Sequence, residues 1–357
     1  MPSTERPLVT GHPRRRPTLR MVAERAGVSI ATVSYVFSGR AGSAAGSGVA
    51  EATTARVLAA AEELNYRPNL AARATRTGRS GMIQLSLNML SDPWSLAVAD
   101  AVNAEANRHG LTTLILADGD WHAALDRLES DVVYLDSVGD DAVGVGKLRD
   151  LVAAGRPLVV FSESLAPEGF DVIRSDALPG CGLAMDHLLQ DHTAIGCLAG
   201  ERAVADAAAQ RTRYTPYLER MSAHGLAVRS EWTQTYALTQ SSAFAAAIRL
   251  LSGPTPPTAV YATTDFAAIA AINAAHTLGL RVPHDVAVIG VGNTPDAHLI
   301  SPTLTTVGPT DFYDRQARII VNRALAEDGE PPQLHEFPWS LFPGGSTDLT
   351  APSTRSR

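Results

Sequence analysis

From Met82 onward the chain alternates short apolar runs with amphipathic stretches, and this alternation restricts the fold more than any other feature. MIQLSLN, LTTLILA, DVVYLD and PLVVFS have strand length and are rich in Val, Ile and Leu. Between them PWSLAVADAVNAEANRHG, a segment near 121–129 and another near 145–154 carry helical periodicity. Strands apolar on both sides and separated by helices predict a parallel sheet covered on its two faces. A second series begins near Val172, with strands AIGCLAG, TAVYAT and DVAVIGVG and helices predicted over 178–190, near 207–224, near 240–252 and over 265–278. Two series predict two parallel sheets, hence two α/β lobes.

The front of the chain has a different character. Residues 1–17 hold four prolines and the run Arg14-Arg15-Arg16 with no apolar period, which predicts a disordered basic arm. TLRMVAERAG then places Leu19, Val22, Ala23 and Ala26 on one helical face, with Thr18 as N-cap and Gly27 as the stop. Ser29 caps a second helix, IATVSYVF, whose Val33, Val36 and Phe37 pack back on the first, giving a helix-turn-helix. A Gly, Ala and Ser stretch follows as a loop, and a third helix is predicted from about Thr53 to Leu64.

Charge separates the same two parts. Residues 1–80 carry twelve arginines against five glutamates, a net of +7, so with −7 overall the remainder carries −14. A polyanion is attracted to the front and repelled by the rest.

Catalytic motifs are missing: Gly144-x-Gly146 lacks its third glycine, Gly146-Lys147 lacks the rest of a phosphate loop, and neither a nucleophile elbow nor a metalloprotease helix occurs. No cofactor or metal is expected. Cys181 and Cys197 are too few for a disulfide framework and read as buried thiols in a reducing cytoplasm. Neither a signal peptide nor a membrane span is expected.

A helix-turn-helix lays the start of its second helix in the major groove, here Ser29, Ile30, Ala31 and Thr32, followed by Ser34 and Tyr35. Ile30 and Ala31 suit thymine methyls, and the hydroxyl side chains suit phosphates or base edges.

TLRMVAERAGVSIATVSYVFSGR, VAEATTARVLAAAEELNYRPN and AARATRTGRSG resemble the headpiece and hinge of the LacI/GalR family of bacterial transcription regulators. SDPW, HLLQDHTAIGCLAG, the TTDFAAIAAINAAHTLGLRVPHDVAVIGVGN block and SPTLTTV extend the resemblance to about Ser340. It implies an all-α headpiece joined to a two-lobed, periplasmic-binding-protein-like α/β domain. It also implies a homodimer on a near-palindromic operator, most simply a repressor, modulated by a small effector, a sugar or other molecule, held between the lobes. Thr18, Tyr66 and the hinge positions Asn69, Ala72, Arg73, Thr75 and Arg76 join the recognition helix as DNA-contacting positions. Thr75 stands at the minor-groove wedge, where the family carries leucine, and Tyr35 stands where most members have arginine. Trp94, Asp176, Arg213, Leu238, Thr264, Asp265 and Asn293 fall on effector-pocket positions, while Gly292 replaces the usual sugar-anchoring aspartate and Leu238 a frequent aromatic.

The expected boundaries are 18–67 for the headpiece, 68–80 for the hinge, 81–342 for the two lobes and 343–357 for a disordered tail. The first lobe is expected over about 81–162 and 295–328, the second over about 163–294 and 329–342. The competing classes are a cytoplasmic small-molecule-binding protein and an α/β enzyme, which the basic headpiece and the missing motifs disfavour.

Overall fold

The computed structural model describes residues 17–37, 49–67, 74, 78–88, 92–117, 121–125, 128–136, 138–139, 141–237, 239–327 and 329–350. The basic arm up to Arg16, the loop after Phe37, most of the hinge and the last seven residues lie outside them. The chain divides into two compact units, Met1–Ser80 and Gly81–Arg357.

In the first unit, helices α1 (Leu19–Ala26), α2 (Ile30–Phe37) and α3 (Glu51–Glu63) enclose a small core of Val22, Ala23, Ala26, Val33, Val36, Val57, Ala60 and Ala61. Thr18 caps α1 by accepting the Met21 N–H at 3.4 Å. Gly27 ends the helix at φ 66°, and the Val28 N–H returns to the Ala23 carbonyl at 3.0 Å. That left-handed residue turns the chain into α2 and costs an L side chain about 1 kcal/mol or more. An Arg25–Glu63 ion pair at 2.7 Å ties α1 to α3 on the exposed side.

The second unit holds two six-stranded sheets. In the first, β1 (Met82–Ser86), β2 (Thr112–Leu116), β3 (Val132–Leu135), β4 (Leu158–Phe161), β5 (Asp171–Arg174) and β11 (Leu334–Glu336) run parallel in the order β11-β5-β4-β3-β1-β2. In the second, β6 (Ile195–Gly200), β7 (Thr233–Tyr236), β8 (Ala259–Ala262), β9 (Ala287–Val291) and β10 (Thr305–Pro309) are parallel, and β12 (Trp339–Phe342) closes the β10 edge antiparallel. Every residue of β3, β8, β9 and β10 is buried, as strands covered on both faces must be.

Helices α4 (Pro93–Arg108) and α12 (Phe312–Leu325) cover one face of the first sheet around Ile83, Val102, Tyr134 and Ile320. Short α5 (Trp121–Leu125) and α6 (Ala142–Ala153) cover the other. On the second sheet, α7 (Ala177–Leu188) and α9 (Thr215–Ala223) lie opposite α10 (Gln240–Leu251) and α11 (Asp265–Thr277), with the short α8 (Glu201–Ala205) after β6. The helix expected near 207–224 is broken: Pro216 sits in the first turn of α9, so the segment before it is a 3-10 turn and a loop.

Three expectations about lobe membership are corrected by the pairing. Residues 171–174 were assigned to the second lobe, yet β5 pairs with β4 and β11 in the first sheet. Residues 295–309 were assigned to the first lobe, yet β10 pairs with β9 and β12 in the second. Residues 334–336, expected in the second lobe with the rest of 329–342, form β11 beside β5 in the first sheet, so the first two crossings fall one strand later than expected and only β12 of that stretch joins the second sheet.

The tail after Phe342 is corrected as well. Residues 343–350 are described, and Ser346 is fully buried. Its hydroxyl donates to the Val288 carbonyl at 2.6 Å and accepts the Thr305 N–H at 2.8 Å. Thr347 adds hydroxyl contacts with Thr305 and His187, both at 2.8 Å. Backbone and hydroxyl bonds dock this segment, so it carries no apolar period.

Candidate functional site

The residues expected to recognise DNA and effector lie in two places, one in each unit. In the first, Ser29 Oγ accepts the Thr32 N–H at 3.1 Å and shares a hydrogen bond with Thr32 Oγ1 at 2.9 Å, fixing the first turn of α2. With its polar groups tied up locally, that turn presents apolar surface: Ile30 is 50% exposed and Ala31 is exposed. Ser34 and Tyr35 are half-buried farther along α2. Tyr66 packs its ring on Phe37, with centroids 5.6 Å apart, and so braces the end of α2 from within the core. Asn69, Ala72, Arg73, Thr75 and Arg76 lie outside the described residues.

The second surface is a 110 Å³ cavity between the lobes, lined by Asp92, Trp94, Phe161, Arg213, Thr264, Asp265, Val291, Gly292 and Thr294. Asp92 caps α4, taking the Trp94 N–H at 3.0 Å, and Pro93 starts the helix, so the Asp-Pro-Trp sequence itself delivers carboxylate and ring to one place. The Trp94 ring stands 5.1 Å from Phe161 and 6.1 Å from Phe312, an aromatic wall on the first-lobe side. Burial raises the Asp92 carboxyl above the usual range, opposed by the Trp94 N–H and by Arg213.

Arg213 enters from the loop before α9. It donates to the Thr263 carbonyl at 3.3 Å and lies over the Trp339 ring at 5.6 Å, which leaves most of its N–H groups for the cavity. Thr264 caps α11 through the Ala267 N–H and bonds the Tyr236 hydroxyl at 2.9 Å. Asp265, only 1% exposed, accepts the Thr294 N–H at 2.7 Å and the Thr306 hydroxyl. Burial pushes its carboxyl up to about 6, against the lowering effect of those hydrogen bonds. Asp265 therefore braces the second lobe more than it offers itself to a ligand.

Two of the expected pocket residues are placed elsewhere. Asp176 lines a separate groove with Glu163, Arg174, Arg211 and Arg220 rather than this cavity. Asn293 is held by its own lobe, its N–H on Thr306 Oγ1 at 3.2 Å and its amide near Pro309 and His298. Leu238 is outside the described residues. Gly292 adopts φ 139°, a conformation L side chains rarely take, so an aspartate there would be strained even though its Cβ would meet Asp265 Oδ2 only at an ordinary 3.4 Å. The sequence reading missed Asp92, Phe161 and Thr294 in the cavity lining, and Asp136 and Tyr313 near it.

Residues 18–69 match the model for bacterial regulatory proteins of the lacI family, and residues 185–347 match that for a periplasmic binding protein-like domain. The HTH-type transcriptional repressor PurR of Yersinia pestis (strain Pestoides F) is 32% identical over 337 residues, 89% of this chain and 94% of the relative. The chain belongs to the lacI family. As a lacI-family member it is a DNA-binding transcriptional regulator with an effector-binding domain, and the curated relatives it matches are regulators. Among solved structures, the regulator CelR in complex with cellobiose is 27% identical, with a TM-score of 0.59 over 93% of this chain and all of the other. A lacI-family regulator from Sanguibacter keddieii is 28% identical, with a TM-score of 0.61 over 76% of this chain and 100% of the other. The lac repressor dimer bound to operator, 23% identical with a TM-score of 0.68 over 93% and 99%, shares the fold. Among the described residues no helix is long and apolar enough to cross a membrane.

Proposed function

We propose that the protein represses transcription by holding two copies of its headpiece on a near-palindromic operator, and that a small effector in the cavity between the lobes changes operator affinity. The exposed first turn of α2, pinned by the Ser29 cap, carries the DNA-reading half of this reading. The +7 charge of residues 1–80 supplies the phosphate-binding half. Ser29, Ile30, Ala31, Thr32, Ser34 and Tyr35 face the bases and adjoining phosphates, with the hinge from Asn69 to Arg76 entering the minor groove.

Dimerisation is supported by apolar side chains left open on the second unit. Leu96 on α4 and Ile115 on edge strand β2 are exposed, and Leu299 is 81% exposed. A second copy covers such surface at the lowest cost, and two-fold pairing matches a two-fold operator.

The test is a gel shift on the DNA upstream of the protein's own gene, repeated across a salt series, with light scattering on the free protein. A dimer whose operator affinity falls steeply with salt is expected. Salt-independent binding, or a monomer that binds one half-site as well as two, overturns the proposal.

A further inference from the structure

We infer that the effector is a compact molecule bearing a protonated amine, its ammonium seated against Asp92 and its acceptor end, a carboxylate or hydroxyl, on Arg213. This rests on the reading of the cavity as an effector site and names the chemistry it selects.

The charges facing the cavity decide the class. Asp92 lines it from the first lobe, and its charge reaches Asp136, just past the end of β3. Asp265 adds a third carboxyl from the second lobe, yet both its oxygens are engaged by Thr294 and Thr306. Asp92, by contrast, spends one oxygen on the Trp94 N–H and keeps the other. Arg213 is the one cation among the lining residues. A neutral polyol leaves the open Asp92 oxygen with Arg213 as its one counter-charge, and a plain anion competes with Asp92 for that guanidinium. An ammonium on Asp92 is stabilised by charge-assisted hydrogen bonds and by the faces of Trp94 and Phe161.

Unused hydroxyls point the same way. Thr294 lines the cavity, is 1% exposed, and its Oγ1 has no hydrogen-bond partner among the described residues. The Tyr313 hydroxyl is buried without a partner among the described residues and lies within the field of Asp265, Asp92 and Arg213. Buried groups of this kind are costly when unmade, and a small ligand with polar ends can satisfy them. Without the aspartate that glycine replaces at position 292, the second lobe lacks a paired acceptor for sugar hydroxyls, which shifts the anionic side of the site to Asp92.

The experiment is a thermal-shift screen of the full-length protein against the proteinogenic amino acids, ethanolamine and glucosamine, each beside its hydroxyl counterpart, such as glycerate for serine and glucose for glucosamine. Any stabilising amine is then titrated by calorimetry into the parent and Asp92→Asn. Asn caps a helix as well as Asp does, so the variant keeps α4 intact. At least one amine is expected to stabilise the protein while its hydroxyl counterpart does not, and Asp92→Asn is expected to weaken that amine about tenfold or more. The inference is overturned if no amine stabilises, if the hydroxyl counterpart does so equally, or if Asp92→Asn binds as the parent does. A neutral sugar that releases operator DNA sinks this inference and leaves the regulator reading standing. Amine binding by a protein that shifts no operator does the reverse.

Discussion

Asp136 receives the backbone N–H of Asn88 on both carboxylate oxygens, each at 3.0 Å, and among the described residues no cation hydrogen-bonds to it. Burial, with Asp92 adding to it, pushes its carboxyl up to about 7. The fold therefore favours the protonated form. Stability from this group is full below the ordinary carboxylate range and is lost as pH rises through about 7. Asp136→Asn keeps an acceptor for Asn88 and carries no charge, so it is expected to gain on the order of 2 kcal/mol near pH 8 and nothing near pH 4. Melting temperatures of the two proteins across that range check it; parallel curves refute it.

Gly27→Ala tests the turn of the headpiece. A Cβ there meets nothing within 4 Å, so the cost is purely that of φ 66°. A loss of about 1–2 kcal/mol is expected in the first unit alone. Differential scanning calorimetry should show the headpiece transition lowered and the larger transition unmoved.

Ser346→Ala tests the docked tail. Removing the hydroxyl leaves the Val288 carbonyl and the Thr305 N–H with one partner fewer inside the second lobe. The expected cost is about 1–3 kcal/mol. Urea unfolding followed by tryptophan fluorescence measures it, and a truncation after Phe342 should be worse.

Thr32→Ala tests the reading helix. Thr32 stands in the first turn of α2, whereas Glu62 is exposed on α3. The first substitution is expected to weaken operator binding about tenfold and Glu62→Ala to leave it within about twofold. Equal effects in a gel shift contradict the placement of α2 on the bases.

The two sheets and the three headpiece helices were legible because period and capping are local. Thr18, Gly27, Ser29 and Asp92-Pro93 announce their helix ends by chemistry that acts within a few residues. Which sheet receives β5 or β10 is not local: an apolar run such as DVIR is equally content beside either neighbour. The cavity was half legible. Trp94, Arg213, Thr264 and Asp265 came from family positions, but Asp176 and Asn293 are drawn away by their own backbones, at φ 57° and 50°. Asp136 was invisible, since a lone aspartate after a strand has no pattern. The tail misled because serine and threonine that dock by hydroxyl look the same in sequence as those that stay in water.

The chain passes between the two sheets three times, after Arg174, after Pro309 and after Glu336, each time within a few residues. Asp176 and Asp311, both left-handed, mark the first two passages, and buried Phe337 marks the third. Three short tethers side by side remove most of the ways in which one lobe can twist or slide on the other. What survives is a rocking motion about a single line, so the energy a ligand releases on closing the cavity has one mechanical outlet rather than many.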